Sequence, residues 1–327
     1  MHDPPSQLSA YLSYLTRKEM GIKTHVGSDL RFLVGWSLES EQALYGPPLP
    51  LADSPAVLLE QMKSCHRALE REDERGFHLD GVYVFLLNEE WARSFGAIGA
   101  RVFPTPDDDN YIYRSADIER MDGRRLKPHR HNVRSFGREF GDLEERELDA
   151  NRASDAETII RKWTREKISR LREHAEASPS FYRNLRDDHA SATESLRSLA
   201  QIPLQGRIYY LNGEPVGYMA GLPLEEDTFL ILNQKNLRLR GLSETVFQRF
   251  AKSLMHQYAF FNGGSDAGIA SLRFRKEHWG PARILRTYGA FLSSALLGSR
   301  PGARKKPRSL DAGSPRASAT RPDSVGH

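Results

Sequence analysis

The stretch from Thr228 to Tyr288 constrains the fold most, because strand-like and helix-like segments alternate along it. An apolar segment, Thr228 to Leu232, precedes a basic loop, and an amphipathic segment, Glu244 to Tyr258, comes next. A short strand, a polar turn, a second helix and a closing strand complete the stretch. This alternation is typical of α/β proteins, in which helices cover the faces of a sheet.

The basic loop of this stretch joins a predicted strand to a predicted helix and contains Arg238, Arg240, Gly241 and Ser243. The N-terminus of a helix exposes unpaired backbone N–H groups at the positive end of the helix dipole, where phosphate binds readily. Gly241 has no Cβ and would let the backbone approach an anion closely, while Ser243 is expected to cap the helix. The loop is therefore predicted to bind a donor phosphate, with a solvated glycine turn as the alternative.

Length and charge indicate a folded body with a basic tail. At 327 residues, with 39% apolar and 28% charged residues, the chain is long enough for about two globular domains. The net charge of +4 comes from residues 299–327, whose seven Lys or Arg and two Asp give +5. This segment is rich in Pro, Ser, Gly and Ala and is predicted to be disordered. Its cluster from Arg304 to Arg308 could contact an anionic membrane surface or RNA, with a role in solubility alone as the alternative.

No segment of the sequence predicts a membrane span or an export signal. The longest apolar run, Ala290 to Leu297, is interrupted by serines and is far shorter than the ~20 residues that a membrane span needs. The N-terminus has no basic region followed by an apolar one. The single cysteine, Cys65, excludes an intramolecular disulfide and is expected to be a half-buried hydrophobic residue. We therefore expect a cytoplasmic protein without a transmembrane segment, which would reach a lipid only by peripheral docking at the inner membrane.

The first part of the chain also alternates strands and helices. Gly81 to Leu87 is predicted to be a buried strand, and Asn88 is expected to cap the helix that follows. A charged connection, Asp142 to Arg152, separates this part from the next predicted helix. We expect an α/β (α+β) fold of two similar halves, each a mixed sheet flanked by helices. The predicted divisions are an N-terminal domain over 1–146, a C-terminal catalytic domain over 147–298 and the basic tail over 299–327.

Two local signals make further predictions about secondary structure. Asn212-Gly213 stands between two strand-like segments, and this dipeptide is a strong signal for a two-residue β-hairpin turn. The basic segment from Ser115 to Phe140 is predicted to be a long helix, in which Pro128 causes a kink or a restart.

Two segments together resemble one known family. The first runs from Asp109 to Phe136 and contains Tyr-Ile-Tyr, then a basic stretch after Gly123. The second, Asn262 to Lys276, reads Asn-Gly-Gly-Ser-Asp-Ala-Gly-Ile-Ala-Ser-Leu-Arg-Phe-Arg-Lys. They resemble the phosphatidylglycerol lysyltransferase C-terminal domain family, which has two tandem GNAT-like domains, and the resemblance extends over residues 82–288. The departures are His129-Arg130-His131 in place of Lys-Arg-Asn and Ser271 in place of a glycine.

The resemblance implies a transferase that moves an aminoacyl group from aminoacyl-tRNA to a phospholipid or another acceptor. The loop at Arg238 and Gly241 is also similar to the pyrophosphate loop of GNAT acyltransferases. Two alternatives stay open: an acyl-CoA-dependent N-acyltransferase acting on a small amine or peptide, and a non-catalytic module that binds tRNA or anionic lipid. No tightly bound cofactor is implied, because aminoacyl-tRNA or acyl-CoA would be a co-substrate.

The resemblance also implies catalytic residues in the second segment, namely Asn262, Asp266, Arg273 and Lys276. Arg273 occupies the place where acetyltransferases of this fold often have a tyrosine, and arginine binds carboxylate or phosphate groups rather than donating a proton. Asp266 is expected to bind the α-ammonium of an aminoacyl group, or to act as a base if burial raises its pKa. The structural alternatives are a turn or helix cap for Asp266 and a solvated helix face for Arg273 and Lys276.

Three cations in the first segment lie at helical spacing. Lys127, Arg130 and Arg134 are three and four residues apart, which would place them on one face of a helix. We expect this face to bind phosphate of the acceptor or of tRNA, with a solvated face as the alternative. His129 and His131 would point to different sides and have no neighbouring partner at metal-ligand spacing, so no metal site is expected.

Overall fold

The computed structural model describes residues 23–26, 31–37, 42–45, 54–72, 81–173 and 179–298. The predicted basic tail lies outside these residues, and Cys65 is described only in its backbone. The strands are β1 (Lys23–Val26), β2 (Arg31–Ser37), β3 (Gln42–Tyr45), β4 (Gly81–Leu87), β5 (Arg101–Pro104), β6 (Asn110–Arg114), β7 (Glu144–Glu147), β8 (Gln205–Leu211), β9 (Glu214–Pro223), β10 (Thr228–Asn236), β11 (Phe260–Asn262), β12 (Arg283–Leu285) and β13 (Tyr288–Ser293). The helices are α1 (Pro55–Glu72), α2 (Glu89–Ala97), α3 (Ser115–Arg120), α4 (Lys127–Phe140), α5 (Ala153–Glu173), α6 (Pro179–Arg197), α7 (Leu242–Leu254), α8 (Ala270–His278) and α9 (Ser294–Leu297).

The strands form two mixed sheets with the same internal order. The first sheet has the order β1-β2-β3-β4-β13-β5, and the second has the order β12-β6-β11-β10-β9-β8-β7. In each sheet three consecutive strands pair antiparallel, β1 to β3 and β8 to β10. A helix then crosses to a parallel neighbour: α1 leads from β3 to β4, and α7 leads from β10 to β11. The predicted fold class, two similar α/β halves with mixed sheets and flanking helices, is confirmed.

The two halves exchange one strand each. β6 comes from the first part of the chain but lies between β11 and β12, antiparallel to both. β13 comes from the end of the described chain but lies between β4 and β5, again antiparallel to both. The predicted boundary between residues 146 and 147 therefore does not coincide with the division between the sheets, and it also cuts β7.

Apolar side chains from these elements form three main cores. In the first, α1 and α2 cover β4 and β13, and this core contains Met62, Trp91 and Phe95. On one face of the second sheet, α7 contributes Phe250 and Leu254, and α3 and α4 pack against α7. On the other face, α5 and α6 pack over β8 and β9. In the part of the chain that the structure describes, no helix is both long enough and apolar enough to cross a membrane.

Local sequence signals predicted a helix cap and a hairpin turn correctly and, at Pro128, left a kink and a restart of the helix as alternatives. Asn88 caps α2, where its Oδ1 accepts a hydrogen bond from the backbone N–H of Trp91 at 2.8 Å. Asn212 and Gly213 have φ values of 52° and 82° in the predicted hairpin turn. The basic segment predicted as one long helix is instead two helices, α3 and α4. Pro128 lies in the first turn of α4, where a missing N–H costs no helical hydrogen bond, so the proline starts a helix rather than kinking one.

The parallel strands β10 and β11 pair over a short stretch, and the segment of the candidate site follows the end of β11. They pair only at Thr228, Phe229 and Leu230 of β10, although that strand continues to Asn236. A bulge between Ile231 and Asn233 changes the register of β10 with β9 just beyond the last paired residue. Bulges bend a strand and increase its twist. The second half of β10, from Ile231 to Asn236, continues past the end of β11 without pairing with it.

Candidate functional site

Strand exchange brings the two family-like segments into contact. β6, from the first segment, pairs with β11 of the second, and Ile112 lies opposite Asn262. Beyond the end of β11, the backbone N–H of Gly263 donates to the carbonyl of Tyr111 at 2.8 Å. Tyr111 therefore projects beside the loop that carries Asp266.

Asp266 is the centre of the hydrogen-bond network in this loop. Its side chain is fully buried. Oδ2 accepts from the Tyr111 hydroxyl at 2.7 Å and from Nε of Arg273 at 2.9 Å. Oδ1 accepts from Nη2 of Arg273 at 3.0 Å and from the backbone N–H of Gly268 at 2.9 Å. Both carboxylate oxygens are thus engaged by donors of this chain.

These hydrogen bonds decide the ionisation of Asp266. Burial alone raises the pKa of its carboxyl group, but hydrogen bonds from Arg273, Tyr111 and Gly268 outweigh burial and lower that pKa below its ordinary value. Burial and the hydrogen bond to Asp266 raise the pKa of Tyr111 to about 12. A role for Asp266 as a general base depended on a raised pKa, and the lowered pKa gives that role no support. The carboxylate instead fixes the positions of Arg273 and Tyr111.

Arg273 connects the buried Asp266 to a second, more exposed carboxylate. Its Nη2 also donates to Oδ1 of Asp107 at 2.7 Å, so two carboxylates share one guanidinium. The Arg273 side chain is 40% exposed, and within the described residues nothing accepts a hydrogen bond from its Nη1. A guanidinium held in this way presents its remaining N–H groups to an incoming carbonyl, carboxylate or phosphate oxygen.

Lys276 lies one turn further along α8 and is half-buried. Its Nζ donates to the carbonyl of Gly263, and at 3.3 Å to that of Gly264. It also lies 5.8 Å from the centre of the Tyr111 ring. Burial, opposed by Asp266 and aided by Arg275, lowers the pKa of Lys276 to about 8. A substantial fraction of the amine is therefore neutral under mildly alkaline conditions, and a neutral amine can accept a proton.

Asn262 has a structural role in the loop. It is buried, and its Oδ1 accepts from the backbone N–H of Gly264 at 2.8 Å, which closes an Asx turn. The loop then passes through positive φ values at Gly264, Ala267 and Gly268. A Cβ at Gly268 would lie 2.9 Å from Oδ2 of Asp107, so glycine permits the close approach of the loop to the Arg273 partner.

The predicted donor-phosphate loop packs against α4. Gly241, not Ser243, is the N-cap residue of α7, with φ 80°, and Ser243 lies exposed in the first turn. A Cβ at Gly241 would lie 2.3 Å from the carbonyl oxygen of Asn132, so helix packing is sufficient to require glycine here. Arg238 and Arg240 are exposed. Phosphate binding by this loop stays a prediction, and the presence of glycine does not support it, because helix packing already requires that glycine.

The predicted basic face of α4 contains two different kinds of residue. Lys127 and Arg134 are exposed. Arg130 instead donates through Nη1 to the backbone carbonyls of Met121 and Gly123, in the turn before the helix. Its guanidinium thus holds a turn, whereas Lys127 and Arg134 stay available to a ligand. His129 stacks on Trp279 with ring centres 3.9 Å apart, which ties α4 to the end of α8.

Several residues of the centre received no role in the sequence analysis. Tyr111 and Tyr113 lie in the first family-like segment, and the match of this segment to the family pattern was the signal that could have identified them. The Tyr113 hydroxyl donates to the carbonyl of Lys276 at 2.9 Å and so holds the C-terminal turn of α8. Asp107 lies in an acidic turn, and no local pattern predicts its contact with Arg273.

Comparisons with known proteins agree with this arrangement. The family model described as "Phosphatidylglycerol lysyltransferase, C-terminal" matches residues 66–291. Among curated protein sequences there is no match. A conserved protein of unknown function from Bacteroides thetaiotaomicron has a similar structure, with a TM-score of 0.71 at 20% identity over 88% of this chain and 90% of that one. The structure of L-PGS from Bacillus licheniformis matches with a TM-score of 0.57 at 15% identity, over 90% and 94% of the two chains.

The structural matches show the fold alone, because their sequence identities are low. The family match extends over more than two thirds of the sequence and includes both segments that meet at Asp266. The chain therefore belongs to the phosphatidylglycerol lysyltransferase C-terminal family.

Proposed function

We propose that the chain transfers an aminoacyl group from aminoacyl-tRNA to a phospholipid or another hydroxyl- or amine-bearing acceptor. Membership of the family and the shared fold support an acyl or aminoacyl transferase role. One observation carries the proposal: Arg273 and Lys276 lie on the helix that follows β11, and the carboxylate of Asp266 holds the arginine in place.

Lys276 is the proposed proton acceptor. In the reaction, the acceptor oxygen or nitrogen attacks the carbonyl carbon of the aminoacyl ester and forms the new ester or amide bond. The neutral amine of Lys276 takes the proton that the acceptor loses. As the bond between the carbonyl carbon and the tRNA ribose oxygen breaks, Lys276 gives this proton to the ribose oxygen and becomes neutral again. The pKa of about 8 suits this task, because both protonation states are populated near neutral pH.

Arg273 is the proposed electrostatic partner of the reacting carbonyl. Its N–H groups would stabilise the oxyanion that develops as the carbonyl carbon becomes tetrahedral. Asp266 and Asp107 hold the guanidinium in place before substrate binds, so little reorganisation accompanies the reaction. Positioning of donor and acceptor supplies the rest of the acceleration.

The test is transfer of radiolabel from a mixed pool of aminoacyl-tRNAs into lipid and water-soluble products, with Lys276→Met, Arg273→Lys and Lys252→Met compared with the wild type. Lys252 lies on α7 and is exposed, so its variant is the matched control. We expect both site variants to lose about 100-fold in rate, the usual scale for one acid–base or oxyanion group, and the control to keep its rate.

The pH dependence separates a proton acceptor from a structural lysine. If Lys276 accepts the proton, the wild-type rate rises with pH and levels off above about 8, its pKa. A flat profile would contradict the assignment. Turnover of acyl-CoA in place of aminoacyl-tRNA, insensitive to RNase, would favour the N-acyltransferase alternative, and binding without turnover would favour the non-catalytic module.

A further inference from the structure

A second charged cluster lies where the second half of β10 faces α5 and α6. Lys235 of β10 is 5% exposed. Its Nζ donates to Oδ1 of Asp188 on α6 at 2.8 Å and lies 4.6 Å from the centre of the Trp163 ring on α5. The same face of β10 is tied to α6 by Asn233, whose Nδ2 donates to Oγ of Ser195 at 3.0 Å. The cluster thus has a rigid base.

Lys167 adds a second ammonium to this cluster without a carboxylate of its own. Its Nζ lies 5.4 Å from the centre of the Trp163 ring. Burial and the neighbouring cations Arg275, Arg170 and Lys235 lower the pKa of Lys167, while Asp188 opposes them. Within the described residues, no hydrogen bond or ion pair joins Lys167 to an acceptor. The positive charges therefore outnumber the one carboxylate that faces them.

Tyr218 supplies a hydrogen-bond donor at the base of the cluster. It is fully buried on β9, directly opposite Lys235 in the register of the sheet, so both side chains lie on the same face. Its hydroxyl has no hydrogen-bond partner among the residues that the structure describes. Burial and, to a smaller extent, the charge of Asp188 raise the pKa of this hydroxyl. A buried donor without an acceptor is costly, and a bound ligand oxygen would satisfy it.

We propose that Trp163, Lys167, Lys235 and Arg275, with the Tyr218 hydroxyl at the base, form a binding site for a phosphate group. The phosphate is free or carried by a lipid headgroup. Its oxygens would accept from the two ammonium groups and the guanidinium, and the excess of positive charge would be neutralised. Asp188 holds Lys235 in position and can accept a hydrogen bond from a ligand hydroxyl.

The recessed position of the cluster favours a phosphate group over an RNA strand. Contacts to a nucleic acid backbone come mainly from exposed Lys and Arg side chains, whereas Lys235 is buried, Lys167 is half-buried and only Arg275 is exposed. Arg275 belongs to α8, the helix that carries Arg273 and Lys276, so the site flanks the proposed reaction centre. That the site holds the phosphate-bearing acceptor of the reaction rests on the proposed function. That the site binds phosphate is independent of the proposed function.

Binding is measured by titration calorimetry with the full chain, with inorganic phosphate and glycerol 3-phosphate as soluble probes and no donor present. Vesicles of anionic phospholipid, with neutral vesicles beside them, test the lipid-borne form. The variants are Lys167→Gln and Arg275→Gln. Lys162→Gln is the matched control, because Lys162 lies on the same helix and pairs with Glu214 at 3.9 Å. Melting temperatures of all variants show that each is folded.

We expect the wild type and Lys162→Gln to bind glycerol 3-phosphate equally, and the other two variants to bind about tenfold more weakly, as for the loss of one charge-assisted hydrogen bond. Vesicle binding that falls in parallel would identify a headgroup, and soluble binding alone would identify a free phosphate. The proposal is overturned if no phosphate probe binds, if the control weakens as much as the site variants, or if these variants lose affinity only for a short RNA. A transfer-inactive Arg273→Lys variant that still binds phosphate would separate this proposal from the proposed function.

Discussion

The replacement Asp266→Asn tests whether the buried carboxylate organises the site. Asparagine keeps the shape of the side chain but removes its charge and turns a donor NH₂ group towards Arg273 or Tyr111. Charge-assisted hydrogen bonds contribute about 1.5–3 kcal/mol each. Since the guanidinium is 40% exposed, solvent screens part of the pair, and we expect a loss of about 3 kcal/mol in the free energy of unfolding.

The matched control is Asp107→Asn, which removes the other carboxylate from the same guanidinium. Asp107 is 64% exposed, so this change should cost about 0.5 kcal/mol. Both free energies are measured by urea unfolding, and the transfer assay is run on the same samples. Equal losses in the two variants would show that burial does not distinguish the carboxylates, and this result would refute the reasoning.

The pH dependence of the Asp266→Asn loss gives an independent check. The pKa of Asp266 is lower in the folded state than the ordinary value of about 3.9. The unfolded chain therefore binds the proton more readily, and the stabilisation is complete above the unfolded pKa. It is lost as the pH falls through the folded pKa. The difference between wild type and variant should be constant at neutral pH and narrow below about pH 4. A difference that widens on acidification would contradict the lowered pKa.

Two further pairs of replacements, each a change beside α4 or within it and a matched control, test the packing of this helix. Gly241→Ala should destabilise the protein by about 3 kcal/mol, because the new Cβ meets the carbonyl of Asn132. Gly213→Ala, also at positive φ but with no atom within 4 Å of the new Cβ, should cost about 1 kcal/mol. Thermal unfolding measures both free energies. Arg130→Ala should lower the free energy of unfolding by about 1–2 kcal/mol, because it leaves the turn carbonyls without a donor. The replacement of the exposed Arg134 by Ala should leave stability unchanged and weaken only anion binding, which a salt titration with RNA measures. A similar loss of stability in both members of either pair would contradict these assignments.

Local patterns in the sequence were sufficient for most elements of the fold. Hydrophobic periodicity predicted the strand at Gly81 to Leu87, and turn chemistry predicted the hairpin at Asn212 and Gly213. The same patterns could not assign strands to sheets. A short apolar strand such as β6 fits the middle of either sheet equally well, and its place depends on partners far along the chain.

Of the residues predicted for the site, the sequence could group some, but it could not give their contacts. The match to the family identified Asp266, Arg273 and Lys276, which do lie together. The hydrogen bond between Tyr111 and Asp266 joins residues 155 positions apart. With those from Arg273 and Gly268, it lowers the pKa of the carboxyl group, which burial alone would raise. At Gly241 the sequence showed correctly that glycine is needed, but it could not distinguish an anion from the carbonyl of a neighbouring helix.

The exchange of β6 and β13 sets the order in which the protein can be completed during synthesis. β13 lies between β4 and β5, and its last residue, Ser293, pairs with Gly81. The edges of β4 and β5 that face β13 therefore stay unpaired until nearly all of the described chain has left the ribosome. Contacts of such high sequence separation slow folding, and exposed strand edges invite pairing with other chains. The same exchange means that neither sheet can open alone without removing a central strand from the other. The two halves should consequently unfold in one transition, and a ribosome that stops before Tyr288 would release an aggregation-prone first half.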